Sequence, residues 1–183
     1  MLAYSSISHA GYMLLAILSM NEHSAGSVLY YAAAYSVSTI GAFAILSILE
    51  KDGEAITFDS FAGLGKRNPL LAFAMTIAML SLSGIPPLAG FFGKYYIFTS
   101  ALQSGFLWLV LIAVLGSLIG VYYYFRVIIK MYSPSPTLPE GKGEDVQLLP
   151  FWEVGWGLKF VLVATILLSL LLGIFPDAVI RLL

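Results

Sequence analysis

The 183 residues are 60% hydrophobic and only 10% charged, and their mean hydropathy is +0.92. A soluble globular domain carries about 25% charged residues, so the composition excludes one and indicates an integral membrane protein surrounded by a lipid bilayer. Nine basic residues nearly balance ten acidic ones, so the net charge gives no basis for a nucleic-acid partner. With no cysteine, the chain itself cannot hold a thiolate-bound cluster, a disulfide or a Cys-ligated zinc ion.

Apolar segments long enough to cross a bilayer, which takes about 20 helical residues, occur five times along the chain. In chain order, the predicted crossings are residues 2–20, 25–49, 69–104, 106–131 and 155–175. Polar loops are predicted at residues 50–68 and 132–152, and the segment TFDSFAGLGKRN in the first loop is predicted to lie along the membrane surface. The sequence therefore predicts an all-α membrane protein with about five transmembrane helices.

The third crossing is too long for one straight helix, because its 36 residues would extend about 54 Å. It contains Gly84-Ile85-Pro86-Pro87, in which the two prolines remove backbone donors and disfavour helix immediately before them. The segment is either one crossing that is discontinuous at residues 84–87 or two short helices joined by a turn.

The positions of the basic residues distinguish these two arrangements. With one discontinuous crossing, the N-terminus and both polar loops lie on the same side, and only Arg181 among the basic residues lies on the other. The positive-inside rule favours this arrangement, with the N-terminus in the cytoplasm and the C-terminus outside.

Lys94 is the strongest candidate for a functional residue. It lies ten residues before Ser104, the predicted end of the third crossing, and therefore about 15 Å from the membrane surface, near the midplane. A charge at this depth costs roughly 2.5–3.5 kcal/mol and usually faces a protein interior or a water-filled cavity. Desolvation favours the neutral amine, and carbonyl groups freed by a broken helix can hold the charged one, so this lysine is suited to proton exchange. The alternative is an ion pair that serves assembly alone, but no acid lies deep in any of the five segments.

The remaining polar residues in the predicted helices give weaker predictions. His9 lies about two turns into the first helix, where it either relays a proton towards the cytoplasm or hydrogen-bonds to a neighbouring helix. Hydroxyl groups on the second helix are predicted to hold helices together, at Tyr35, Ser36, Ser38 and Thr39. An interface belt with a snorkelling arginine is predicted at Tyr122, Tyr123, Tyr124, Arg126 and Lys130.

Three motifs stand out along the chain: LAYSSISHAGY at 2–12, LSGIPPLAGFFGKYYIF at 82–98 and VYYYFRVIIKMY at 121–132. Together they resemble the antiporter-like membrane subunits of respiratory complex I, and in particular the subunit N family of NADH-quinone oxidoreductase, called subunit 2 in mitochondria and chloroplasts. That family contains two inverted five-helix repeats, each with a broken helix. The resemblance implies that residues 1–183 are the C-terminal part of such a subunit, and that Met1 is an internal methionine.

The resemblance also implies roles for individual residues. Lys94 matches the essential lysine of the second repeat, which exchanges protons in the outer half-channel, and His9 falls where the family has a polar residue on its central hydrophilic axis. The implied function is proton pumping coupled to quinone reduction. This chain would carry no cofactor, because other parts of the complex use NADH and quinone. The implied partners are other membrane subunits of complex I, in the inner (plasma) membrane of a bacterium or in an organellar membrane.

Two alternatives to this function remain open. A subunit of a multisubunit cation/proton antiporter, or of a membrane-bound hydrogenase, shares the broken helix and the lysine but needs neither NADH nor quinone. A purely structural subunit would pack a membrane complex, and Lys94 would then serve assembly alone.

Overall fold

The computed structural model describes residues 1–50, 56–133 and 155–180, and every regular element in these ranges is helical. The elements are α1 (Leu2–Ser19), α2 (Ser24–Leu49), a 3-10 turn (Phe58–Phe61), α3 (Leu64–Arg67), α4 (Pro69–Ser83), α5 (Ala89–Gln103), α6 (Leu107–Tyr132), α7 (Trp156–Ile174) and α8 (Pro176–Ile180). Helices α1, α2, α6 and α7 are long and apolar enough to cross a membrane. The predicted fold class is confirmed, and each predicted crossing ends within one residue of the observed helices. Most of the predicted loop at 132–152 lies outside the described residues, as does Arg181.

The third predicted crossing is divided into α4 and α5 at the predicted place. Helix α4 begins at Pro69, where the side chain of Asn68 accepts a hydrogen bond from the Leu71 amide. It ends at Ser83, and Gly84 follows it with φ +84°. The amides of Gly84 and Ile85 fold back onto carbonyls of the last turn of α4, as in a common helix C-cap. Two prolines follow, which cannot continue α4, and α5 begins at Ala89.

The contacts of α2 show that α4 and α5 follow one another as a single discontinuous crossing. Ser38 of α2 hydrogen-bonds to Ser81 of α4, whereas Ser24, further towards the start of α2, contacts Ser100 of α5. The later residue of α4 and α5 therefore contacts α2 nearer to its N-terminus. Helices α4 and α5 together run antiparallel to α2, which is the arrangement that the basic residues favoured.

The core consists of three groups of apolar side chains between these helices. The largest lies between α2, α4, α6 and α7, and includes Ile45, Leu71, Met75 and Met79. A second group joins α1, α2, α5 and α6, and a third joins α2, α5 and α7. Many large apolar side chains on α1, α6 and α7 remain exposed, Trp108 among them, as expected for surfaces that lipid or another membrane subunit covers.

The segment TFDSFAGLGKRN forms the 3-10 turn and α3, and it packs against the end of α6. Phe61 and Leu64 are buried there. Asp59 pairs with Lys130 at 2.8 Å, and the hydrogen bond and charge of this lysine lower the pKa of the exposed Asp59 carboxyl. The guanidinium of Arg126 lies 4.9 Å from the centre of the Phe58 ring and makes a cation–π contact with it. Snorkelling to the membrane interface is therefore not the only interaction that accounts for this arginine.

Candidate functional site

Lys94 lies in the second turn of α5, beside the break, and its side chain is 7% exposed. Its ammonium group donates hydrogen bonds to the carbonyl oxygens of Leu82 and Ser83, at 3.1 and 3.0 Å. A third hydrogen bond, of 2.9 Å, reaches the hydroxyl of Ser117 on α6. An ammonium has three N–H donors, so this site satisfies all of them.

The prolines of the break explain why these two carbonyls are free. In a continuous α-helix, each carbonyl accepts from the amide four residues later. The partners of Leu82 and Ser83 would therefore be Pro86 and Pro87, which have no N–H. Lys94 supplies the two missing donors from the next half-helix, and its positive charge lies at the C-terminal end of α4, where the helix dipole favours a cation.

The groups that contact Lys94 in the described part of the chain are neutral. Among the described residues, the ion pairs are His23 with Glu22 and Lys130 with Asp59, and neither involves Lys94. The ring of Tyr12 lies 5.5 Å from the ammonium nitrogen and adds a cation–π contact. Within the described ranges, the arrangement therefore resembles a site that holds a single charge rather than half of an ion pair.

His9 is buried between α1, α2 and α6. Its Nδ1 atom lies 2.5 Å from the Tyr31 hydroxyl, and its Nε2 atom lies 3.0 Å from the Tyr124 hydroxyl. Tyr124 also hydrogen-bonds to Ser5 of α1 at 2.5 Å. The histidine thus makes the bonds to neighbouring helices that the sequence allowed, and its role as a proton relay stays a prediction.

Tyr12 connects the surroundings of the two predicted residues. Its ring meets the His9 ring edge-on at 5.9 Å between centroids, and it also faces the Lys94 ammonium. Lys94 and His9 therefore belong to one polar region between α1, α2, α5 and α6.

The prediction of an interface belt at residues 122–124 is wrong for Tyr124. Tyr122 is 72% exposed, but Tyr124 is 1% exposed and hydrogen-bonds inside the protein. Successive residues of an α-helix point about 100° apart, so three consecutive tyrosines cannot share one face. The sequence of α6 contains a pattern that predicts the burial of Tyr124. The inward-facing residues of this helix follow one another at intervals of three, four or seven, namely Val110, Ser117, Gly120, Tyr124, Val127 and Met131.

The hydroxyl patch on α2 has several roles. Ser38 joins α2 to α4 through its 2.7 Å hydrogen bond to Ser81, which confirms the predicted helix-joining role for this residue. The Tyr35 ring stacks on His9 at 4.7 Å, and Ser36 is exposed. The hydroxyl of Thr39 is buried without a hydrogen-bond partner among the described residues.

Comparisons with known proteins agree on one family. The transmembrane family described as NADH:quinone oxidoreductase/Mrp antiporter matches residues 1–120. Subunit N of NADH-quinone oxidoreductase from Cytophaga hutchinsonii is 42% identical over 182 residues, which cover 99% of this chain and 37% of that protein. Subunit N from Flavobacterium psychrophilum is 40% identical and is likewise covered over only 38% of its length. The chain thus spans little more than a third of the length of these relatives.

Solved structures show the same likeness. A chain of respiratory complex I from Thermus thermophilus with bound aureothin superposes with a TM-score of 0.81 at 35% identity, covering 98% of this chain and 38% of that one. A chain of the Mrp complex from Dietzia sp. DQ12-45-1b superposes with a TM-score of 0.79, covering 99% of this chain and 40% of that one. Its identity is 22%, so it shows a likeness of fold alone.

Proposed function

Because the chain belongs to the NADH:quinone oxidoreductase/Mrp antiporter transmembrane family, we propose that it is the C-terminal part of a proton-translocating subunit of NADH:quinone oxidoreductase. In this proposal the chain lies in a bacterial inner membrane among other membrane subunits of the complex. Other subunits oxidise NADH and reduce quinone, and this chain holds and releases protons.

The observation that carries the proposal is the hydrogen bonding of Lys94. When charged, the ammonium donates to the carbonyls of Leu82 and Ser83 and to the hydroxyl of Ser117. When neutral, the amine still has two N–H donors for the two carbonyls, and its lone pair can accept the Ser117 O–H. The same three partners therefore suit both protonation states, so the lysine can exchange a proton without rearrangement of the backbone.

The role proposed for His9 is to pass protons between the cytoplasmic side and this region. Its ring nitrogens bond to the hydroxyls of Tyr31 and Tyr124, so a proton on one nitrogen has an acceptor and the other nitrogen has a donor. Through Tyr12, the histidine lies beside the surroundings of Lys94. The competing role is a structural link between three helices.

Replacing His9 with glutamine distinguishes these roles, because glutamine keeps a hydrogen-bond donor and an acceptor but does not titrate. We expect His9→Gln to assemble normally and to slow proton transfer by roughly a hundredfold, the lower range for loss of an acid–base group. The measurement is NADH-driven proton pumping by the complete enzyme in inside-out vesicles. Unchanged pumping, together with instability of His9→Ala, would assign His9 a structural role.

A subunit of a cation/proton antiporter is the second candidate function, favoured by the Mrp part of the family description. The relatives named subunit N favour complex I, because they match nearly the whole chain at about 40% identity. A hydrogenase subunit and a purely structural subunit gain no further support from these relatives.

Inside-out vesicles separate the two candidates. Vesicles from cells that carry the complete gene should acidify inside when NADH is added, and vesicles from the deletion strain should not. A protonophore should abolish the signal. If the vesicles instead dissipate an imposed pH gradient on addition of Na⁺ or K⁺ without NADH, the protein is an antiporter subunit and the proposal is wrong.

A further inference from the structure

A small cavity lies between α2, α4 and α7, close to the hydrogen bond that joins α2 to α4. Its volume is about 10 Å³, and its lining is apolar apart from three hydroxyl-bearing side chains, those of Ser38, Thr165 and Ser169. A single water molecule needs roughly 10–15 Å³ by this measure and two to four polar partners. The cavity has the size and the lining for one water.

Ser169 gives independent evidence for a ligand in this cavity. The residue is 2% exposed, and its hydroxyl forms no hydrogen bond with any described residue. Burying a hydroxyl without a partner is costly, so such groups in membrane helices normally bond to a backbone carbonyl, another side chain or an ordered water. The unpartnered hydroxyl lines the cavity, which indicates that its partner lies there.

The other two hydroxyls can bind the same water. Ser38 lies within hydrogen-bond distance of the Ala34 carbonyl and the Ser81 hydroxyl, and Thr165 donates to the Leu162 carbonyl. A hydroxyl oxygen that donates its proton keeps two lone pairs for accepting. One water can therefore donate to Ser38 and Thr165 while it accepts the proton of Ser169, which makes three hydrogen bonds, the usual number for a buried water.

We propose that the α2–α4–α7 cavity binds one ordered water molecule that links Ser169 and Thr165 of α7 to Ser38 of α2. From Ser38 the hydrogen bonds continue to Ser81, whose hydroxyl accepts from the Gly90 amide at the start of α5. The water thus connects α7, through Ser38 and Ser81, to the first turn of α5. This site does not depend on the proposed function, since it follows from the cavity and its hydroxyls alone.

The direct test is a map of the complete complex at a resolution that shows ordered waters. We expect a separate density within hydrogen-bond distance of the Ser169 hydroxyl oxygen. An empty cavity in such a map, with the Ser169 hydroxyl turned onto a backbone carbonyl of its own helix, would overturn the proposal. Because the map uses the unmodified protein, this test does not depend on any variant folding.

A double-mutant cycle between Ser169→Ala and Thr165→Val gives a second, energetic test. We expect each single variant to lower the thermal midpoint of the complex, because each change removes a buried hydrogen-bonding group. The double variant should fall by clearly less than the sum, because either change alone already releases the shared water. Additive shifts would contradict a shared ligand.

Ser47→Ala is the matched control for the threonine change. Like Thr165, Ser47 donates to the carbonyl three residues earlier in its own helix, but it is exposed and lines no part of this cavity. Combined with Ser169→Ala, it should give additive shifts.

Discussion

Replacing Lys94 with methionine is expected to stop proton transfer through this subunit while the complex still assembles. Methionine fills a similar volume but carries no proton and no charge. Loss of the exchanging group should slow proton transfer here at least roughly a hundredfold, and the complete enzyme should pump fewer protons for each NADH oxidised. The measurement is the ratio of pumping to NADH oxidation in inside-out vesicles.

Three further variants identify which property of Lys94 matters. Lys94→Arg keeps the positive charge but does not release a proton at physiological pH, so it should assemble and still fail to pump. Ser117→Ala removes only the third acceptor and should reduce pumping less than Lys94→Met. Lys130→Met is the matched control, because this lysine pairs with exposed Asp59 at a helix end, and its loss should leave the ratio unchanged.

Two outcomes would contradict the proton-exchange role. If Lys94→Met pumps with the normal ratio, the lysine is not on the proton path. If Lys94→Met fails to assemble but Lys94→Arg both assembles and pumps normally, the site needs a fixed positive charge rather than proton exchange.

A methyl group at Gly173 is expected to disrupt the helix break. A Cβ atom there would lie 1.9 Å from the Pro87 carbonyl oxygen and 2.8 Å from backbone atoms of Leu88. These neighbours are backbone atoms, so the clash can be relieved only if the backbone of the break moves. Such a movement costs about 1–3 kcal/mol. Since the break presents the carbonyls of Leu82 and Ser83 to Lys94, we expect Gly173→Ala to lower both the yield of assembled complex and its proton pumping.

Two other glycines complete this experiment. Gly90→Ala should behave like Gly173→Ala, because its Cβ would lie 1.8 Å from the Ser81 carbonyl oxygen. At Gly157, on the same helix as Gly173, a Cβ atom would meet no atom of residues 1–50, 56–133 and 155–180 within 4 Å, so Gly157→Ala should leave yield and pumping unchanged. Normal assembly and pumping of Gly173→Ala would mean that α7 does not hold the break in place.

Much of this protein could be predicted from local sequence, because the determining physics is local. The length of each apolar segment predicts a crossing, and Gly84, Pro86 and Pro87 predict the break. The hydrogen-bond rule of the α-helix even identifies which carbonyls the prolines leave free, those of Leu82 and Ser83. Lys94 stands out because a charge deep in an apolar segment is costly unless the protein holds it.

The partners of these residues could be seen only in the tertiary structure. Helices α2, α4 and α5 are apolar nearly all round, so their sequences contain little periodicity to show which face packs inward. That Ser117 is the third acceptor of Lys94, and that Tyr124 bonds to His9 rather than lying at the interface, depends on how α6 packs against the other helices. Sequence by itself determined the crossings, the break and the buried charge, whereas helix packing decided what surrounds that charge.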